Sequence, residues 1–336
     1  MSTVNPKRNH LLTQRNRWVT ARKITQALSL LGFTTAIIAT GLNRAPYDLS
    51  SVPIRLSSRI FLTGMTISLI LLLASLVFGR AWCGWLCPLG TVLDIFKFRS
   101  GKSKIRISEQ WRGVKYGLLF VILISAVFSN LTLLIFDPLT IYTRTVTVTI
   151  LPAMEKIVTT AERLLASIPF MTNAVYRFDL LIRPALFPLQ PIVFQYAVLT
   201  GVFFSMIVLL NLLAERFWCR YLCPLGALLG FISKAAVFKR RVSDNCGGCH
   251  LCELNCPTDT IDPAHDFKSD PAECIMCMNC LQSCQKGSLS FAPRFDLAPR
   301  YSYDAGRRTF MNSLLASVII TTVLSLDWFK QSSKDF

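Results

Sequence analysis

Hydrophobic residues in this chain come in long, nearly unbroken runs separated by polar and basic stretches. The runs cover Ile24–Leu42, Ile60–Phe78, Val114–Phe136 and Pro191–Leu213, and a weaker fifth, Phe310–Leu326, is interrupted by Asn312 and Ser313. About 20 predominantly apolar residues cross the ~30 Å hydrocarbon core of a bilayer. The pattern therefore predicts an α-helical integral membrane bundle of four to five transmembrane helices. The polar lead-in of residues 1–23 is longer than the head of a signal peptide and no small-x-small cleavage site follows, so the first run reads as a retained anchor. Between the third and fourth runs, Met154, Ile157, Val158, Ala161, Leu164, Leu165 and Ile168 recur at helical spacing. They predict an amphipathic helix within an outer loop, 136–190.

Charge orients this bundle. The chain has a net charge of +17 but only 16% charged residues, where soluble domains carry roughly a quarter. Basic residues cluster in 1–23, in Lys97–Lys115 and in Lys234, Lys239, Arg240 and Arg241, alternating with the apolar runs. By the positive-inside rule, the N-terminus, the 79–113 loop and the 214–309 region face the cytoplasm. The expected location is the bacterial inner membrane, multi-pass, with lipid as a partner and no nucleic acid.

All twelve cysteines fall into four groups. Two groups, "CGGCHLCELNCP" and "CIMCMNCLQSCQ", each read C-x2-C-x2-C-x3-C, the bacterial ferredoxin run. In this pattern three close thiolates wrap one cubane and the fourth ligates the other. Cluster one is therefore expected on Cys246, Cys249, Cys252 and Cys284, and cluster two on Cys274, Cys277, Cys280 and Cys256. Zinc sites use C-x2-C pairs instead. The second run lacks the proline that follows Cys256, having Gln285 after Cys284. A small α+β bacterial-type 2[4Fe–4S] ferredoxin module is thus expected at 242–295, after a basic segment at 1–23 and the bundle at 24–241. A linker and the fifth helix occupy 296–336.

The other two groups sit in a near-repeat, "WCGWLCPLG" at 82–90 and "WCRYLCPLG" at 218–226. C-x3-C spacing sets both thiols of a pair on one helical face, and Pro88 and Pro224 break or restart the helix. Cys83, Cys87, Cys219 and Cys223 are candidates for a further redox, metal or dithiol centre; a packing seam with free thiols is the bland alternative. Asp137, before Pro138, reads either as a turn or cap residue or as a proton acceptor beside a quinol pocket. The only histidines are His10, His250 and His265, none within an apolar run, so no bis-histidine haem is expected. "CGGCH" matches a haem-attachment motif formally but lies inside the ferredoxin run.

The two WC-x-x-LCPLG motifs, the tandem ferredoxin run and "DPL" after the third apolar run resemble the NapH/NosR-type polyferredoxin membrane proteins over about residues 60–292. The resemblance implies a membrane-bound electron-transfer subunit of quinol-dehydrogenase type, relaying electrons between quinone pool and partner redox subunits. It implies no flavin or haem, since nothing here matches the outer flavin domain of NosR-like members. CcoG-like relatives share the cysteine arrangement and imply the alternative, a copper-handling and copper-reducing assembly factor, because soft thiolates select Cu(I). An iron–sulfur redox sensor is the third reading.

Overall fold

The structure is a computed structural model and describes residues 6–42, 69–97, 109–128, 132–167 and 197–293, with 170, 172, 176 and 177. Among these residues no helix is long and apolar enough to cross a membrane, which overturns the transmembrane bundle expected from the apolar runs. Among the described residues, the third and fourth runs do not become single long helices. The third run gives α5, Val114–Val127, followed by a 3-10 turn at Thr132–Phe136. The fourth gives a 13-residue helix, Ala197–Leu209, which tightens into a 3-10 turn at Leu210–Leu212. At 1.5 Å per residue these α-helices reach only about 20 Å. The fifth run and residues 60–68 lie outside the described residues.

The helix on the first run, α1 (Pro6–Leu42), is long but mixed in character: Leu30, Phe33 and Ile37 pack on Val92, Tyr142 and Val146, while its N-terminal part carries many polar and basic residues. Among its described side chains, Val19, Arg22 and Gln26 are the buried ones, at i, i+3, i+7 spacing. That stripe lies across the first cysteine motif: Gln26 Nε2 donates to Gly84 O at 2.9 Å and Ser29 Oγ to Leu86 O at 2.6 Å. A helix whose described part covers 69–78 (α2) follows.

Each motif folds as two short helices with a break between them. The first copy gives α3 (Ala81–Trp85) and α4 (Pro88–Ile95). Between α5 and the fourth run lie α6 (Pro138–Arg144) and α7 (Leu151–Ala166), the latter where the amphipathic pattern placed a helix, with no residue buried. The fourth-run helix is α8, and the second motif copy gives α9 (Phe217–Tyr221) and α10 (Pro224–Ser233). The first cysteine of each pair lies within a five-residue helix. The second, Cys87 or Cys223, is the extended N-cap of the next helix, with proline at N1. The two thiols of a pair therefore do not share one helical face, because proline forces its predecessor out of helical backbone.

After α10 the chain builds a small α+β module. Strand β1 (Phe238–Val242) pairs antiparallel with β4 (Leu289–Pro293), with Arg240 opposite Phe291. The two-residue strands β2 (Ile261–Asp262) and β3 (Lys268–Ser269) form a second pair. Short helices α11 (Leu251–Leu254) and α12 (Asn279–Ser283) each begin in a cysteine run. The two runs repeat one backbone shape: Gly248 and His250 in the first, Met276 and Met278 in the second, all have positive φ. Two left-handed residues per run let the chain curl with its amides turned inward. At Met276 and Met278 that conformation is imposed on side chains that rarely adopt it.

Candidate functional site

The loop at the head of the second run docks into both motifs. Cys83, Leu229, Ile275 and Cys277 share one buried cluster, with Trp82 and Leu225 packed on it. Trp85 Nε1 donates to Met276 O at 3.0 Å, Ser233 Oγ to Pro271 O at 2.8 Å, and Arg22 Nη1 to Cys277 O at 3.1 Å. A Cβ on Gly84 would stand 2.2 Å from Ile275 O, so this contact is backbone on backbone.

The four motif thiols lie together. All are buried and free, and each interacts electrostatically with the other three. Burial, then the neighbouring thiols, pushes Cys87 and Cys223 far up. Burial raises Cys219 to about 11, with Arg216 opposing it. Cys87, Cys219 and Cys223 are thereby held as neutral thiols at pH 7. The first copy's Cys87 joins Cys219, Cys223 and Trp218 in the principal core, where Trp218 stacks on Phe136 at 6.1 Å and meets the edge of Phe203 at 5.8 Å.

An arginine heads each motif and reaches across to the other. Arg216 Nη1 donates to Cys83 O at 2.9 Å, and Arg80 Nη2 to Cys219 O at 3.4 Å. The glycine of each PLG makes room for the opposite guanidinium. A Cβ on Gly226 would sit 2.8 Å from Arg80 Nη2, and one on Gly90 would meet Cys83 O at 2.9 Å and Arg216 Nη1 at 3.6 Å. Arg216 is held by a bidentate fork on Asp94, at 2.9 and 2.6 Å, and Asp94 also receives Arg22 at 3.6 Å. Arg80 meets Glu273 at 3.0 Å, and Lys115 also contacts Glu273. Arg220 pairs with Asp259 at 3.4 Å. These arginines and Lys115 escaped the sequence reading, which counted Arg22 and Lys115 only as topology markers. The signal was present: both copies extend upstream as R-x-W-C, Arg80 and Arg216 standing three residues before the first cysteine.

This environment fits an anionic sulfur-ligated group. Arg22, Arg80, Lys115, Arg216 and Arg220 are buried, and the acids that meet them are Asp94, Glu273 and Asp259. Five cations against three acids leave positive charge that neutral thiols do not balance, and unbalanced buried charge is costly. The unpartnered buried atoms here are Arg22 Nε, Arg80 Nε, Arg220 Nε, Trp82 Nε1, Trp218 Nε1 and Tyr221 Oη. All of them can donate, so what they lack is acceptors. Among the described residues no three His, Cys, Asp or Glu side chains form a group that could hold a single metal ion.

In the module, Cys256 from the first run lines one small cavity with Cys274, Cys277 and Cys280 from the second. This is the set expected for cluster two, including the crossed-over fourth cysteine. Burial pushes the Cys274 thiol up to about 12 and raises Cys277 and Cys280. Of the cluster-one set, Cys246 and Cys249 are exposed, Cys252 is buried, and Cys284 packs on the core that holds Cys252. Asp137 is the N-cap of α6, accepting from Leu139 N at 3.0 Å and Thr140 N at 3.2 Å; burial raises its pKa against those bonds.

The sequence model of a family described as "4Fe-4S binding domain" matches residues 60–106 and 196–243. Each matched segment contains one W-C-x-x-L-C-P-L-G motif, and neither contains a ferredoxin run. The chain is 31% identical to Protein NirI of Paracoccus denitrificans over 218 residues, 62% of this chain and 25% of that one. It is 26% identical over 246 residues to Ferredoxin-type protein NapH of Haemophilus influenzae, 70% of each chain. Regulatory protein NosR of Pseudomonas aeruginosa is 27% identical over 217 residues, 61% of this chain and 24% of that one. The chain is similar to NapH/NosR-type ferredoxin proteins over both motif segments. An iron–sulfur electron-transfer protein of NapH/NosR/NirI type is supported, and the 4Fe-4S binding domain is found in it in two repeats. The sequence reading had assigned clusters to the ferredoxin runs and left the motifs open; the family match falls on the motifs. No solved structure matches the chain.

Proposed function

We propose that this NapH/NosR-type protein carries electrons between quinol at a membrane surface and a partner redox subunit. The observation that carries this reading is the docking of the second ferredoxin run on the motifs, where Ile275 and Cys277 share a buried cluster with Cys83. Cys256, Cys274, Cys277 and Cys280 would hold one [4Fe–4S] cluster, and Cys246, Cys249, Cys252 and Cys284 another. Cys83, Cys87, Cys219 and Cys223 would together hold a third iron–sulfur centre. Such centres supply one-electron chemistry with potentials set by charge, hydrogen bonds and exposure. The chain's own part is to bury the thiolates, balance them with Arg80 and Arg216, and fix their separation through the Gly84–Ile275 contact. Two surfaces support the membrane side: Leu28 and Leu31 on α1, and Val198, Leu199 and Val202 on α8, all exposed. Asp137 is assigned to capping α6, since both its observed hydrogen bonds serve that role.

The test is anaerobic mixing of the intact, cluster-loaded chain with a soluble quinol, followed by cluster absorbance and EPR. Reduction of the clusters by quinol is the expected result, and intact clusters that quinol leaves oxidised contradict the reading. A Cu(I) titration run alongside separates the copper-handling alternative. Stoichiometric Cu(I) uptake lost in Cys83→Ser/Cys219→Ser would favour that alternative.

A further inference from the structure

Arg240 was part of a basic cluster that the sequence reading assigned to topology, yet it is built into the module. It stands on β1 opposite Phe291, and its side chain lines the cavity formed with Cys256, Cys274, Cys277 and Cys280. One terminal nitrogen, Nη1, donates to Phe267 O. Its Nε and Nη2 are buried and have no partner, and among the described residues no acid pairs with it. A strap from β1 to the β2–β3 loop would need only the bond to Phe267. The remaining donors and the charge itself require an acceptor that is anionic and lies in the same cavity. The guanidinium also favours the thiolates of Cys252, Cys274 and Cys280, which places it between the two ligand sets.

We propose that Arg240 is the positioning residue for the centre held by Cys256, Cys274, Cys277 and Cys280, donating Nε–H and Nη2–H to its sulfur and raising its reduction potential. This rests on the ligand assignment above. The sign follows from charge: reduction adds an electron to an anionic group, and a fixed cation beside it favours the reduced form. Hydrogen bonds to sulfur act in the same direction by spreading negative charge from it.

The test is an EPR-monitored redox titration of the full chain, prepared anaerobically, for wild type, Arg240→Gln and Arg240→Lys. Cys277→Ser identifies which signal belongs to this centre. In Arg240→Gln that signal is expected to keep its intensity while the reduction equilibrium becomes at least tenfold less favourable, about 59 mV for one electron. Arg240→Lys keeps the charge, loses the fork and is expected to fall between. If Arg240→Gln loses iron, Arg240→Lys decides alone, a lowered potential supporting the proposal and an unchanged one overturning it. A Cys277-dependent signal whose potential does not move in either variant overturns the role of Arg240 and leaves the ligand assignment standing. Signals indifferent to Cys277→Ser overturn the ligand assignment, and this proposal with it.

Discussion

Replacing Glu273 with glutamine is expected to destabilise the protein by about 3–5 kcal/mol at neutral pH. Glu273 is buried and answers two fully buried cations, Arg80 at 3.0 Å and Lys115. Burial alone would raise its pKa, but Arg80 and then Lys115 outweigh that and hold it below the usual carboxylate value. Burial and Arg80 together pull Lys115 down to about 8 against the attraction of Glu273, so Lys115 still carries its proton at pH 7. The glutamine variant would therefore leave two cations buried without a counter-charge. Because the folded pKa of Glu273 is depressed, its contribution is complete above the ordinary glutamate pKa of about 4.3 and is lost as pH falls through the folded value. Thermal unfolding of the anaerobic, cluster-loaded protein should show a large gap between wild type and variant at pH 7. The gap should narrow once the pH falls below about 4. A variant that unfolds with wild type at pH 7 would mean the triad carries no net stability.

Gly84→Ala is the second large effect expected. The added Cβ would lie 2.2 Å from Ile275 O and 3.3 Å from its carbonyl carbon. Both partners are backbone, so no rotamer change relieves the clash; the first motif and the second ferredoxin run must separate. Overpacking of this kind costs about 1–3 kcal/mol, and more where backbone must move. Separation would also break the bond from Trp85 Nε1 to Met276 O. The variant should therefore unfold at lower temperature and show altered Trp85 fluorescence, best read with the other five tryptophans as an unchanged background. Gly32→Ala is the control: its Cβ would meet nothing within 4 Å, and alanine favours the helix by about 1 kcal/mol. Wild-type behaviour of Gly84→Ala would show that the two parts are not held at this contact.

The cysteine chemistry was legible because thiolate spacing is a local property. C-x2-C-x2-C-x3-C and its crossed-over fourth cysteine can be read from a few residues, and Cys256 lines one cavity with Cys274, Cys277 and Cys280. The helical architecture was not, because apolar content says nothing about where a helix stops. Pro88 and Pro224, read as helix breaks, do end one short helix and start another, but nothing in the apolar pattern marks where Leu210–Leu212 tightens and turns Asn211 inward to hold Leu93 O at 2.7 Å. Within the first apolar run, Gln26 and Ser29 bind the first motif, a role that hydrophobic periodicity does not show. The charge count also missed what some of its residues do. Arg22, Lys115 and Arg240 were counted as markers of a cytoplasmic face, but Arg22 and Lys115 are buried ion-pair partners and Arg240 lines the cavity of a cysteine set. Burial of a basic residue depends on partners far along the chain, Asp94 and Glu273 among them, and a one-dimensional count does not see them.

The family match on the motif segments and the cation-rich chamber around four thiols converge on one claim: the two motifs build a single iron–sulfur centre. Iron and acid-labile sulfide per chain in anaerobic preparations of wild type and Cys83→Ser/Cys219→Ser test it most directly. Two ferredoxin cubanes alone account for about eight irons. The predicted result is about twelve irons and twelve sulfides in wild type, falling to about eight in the variant. About eight in both would contradict the account.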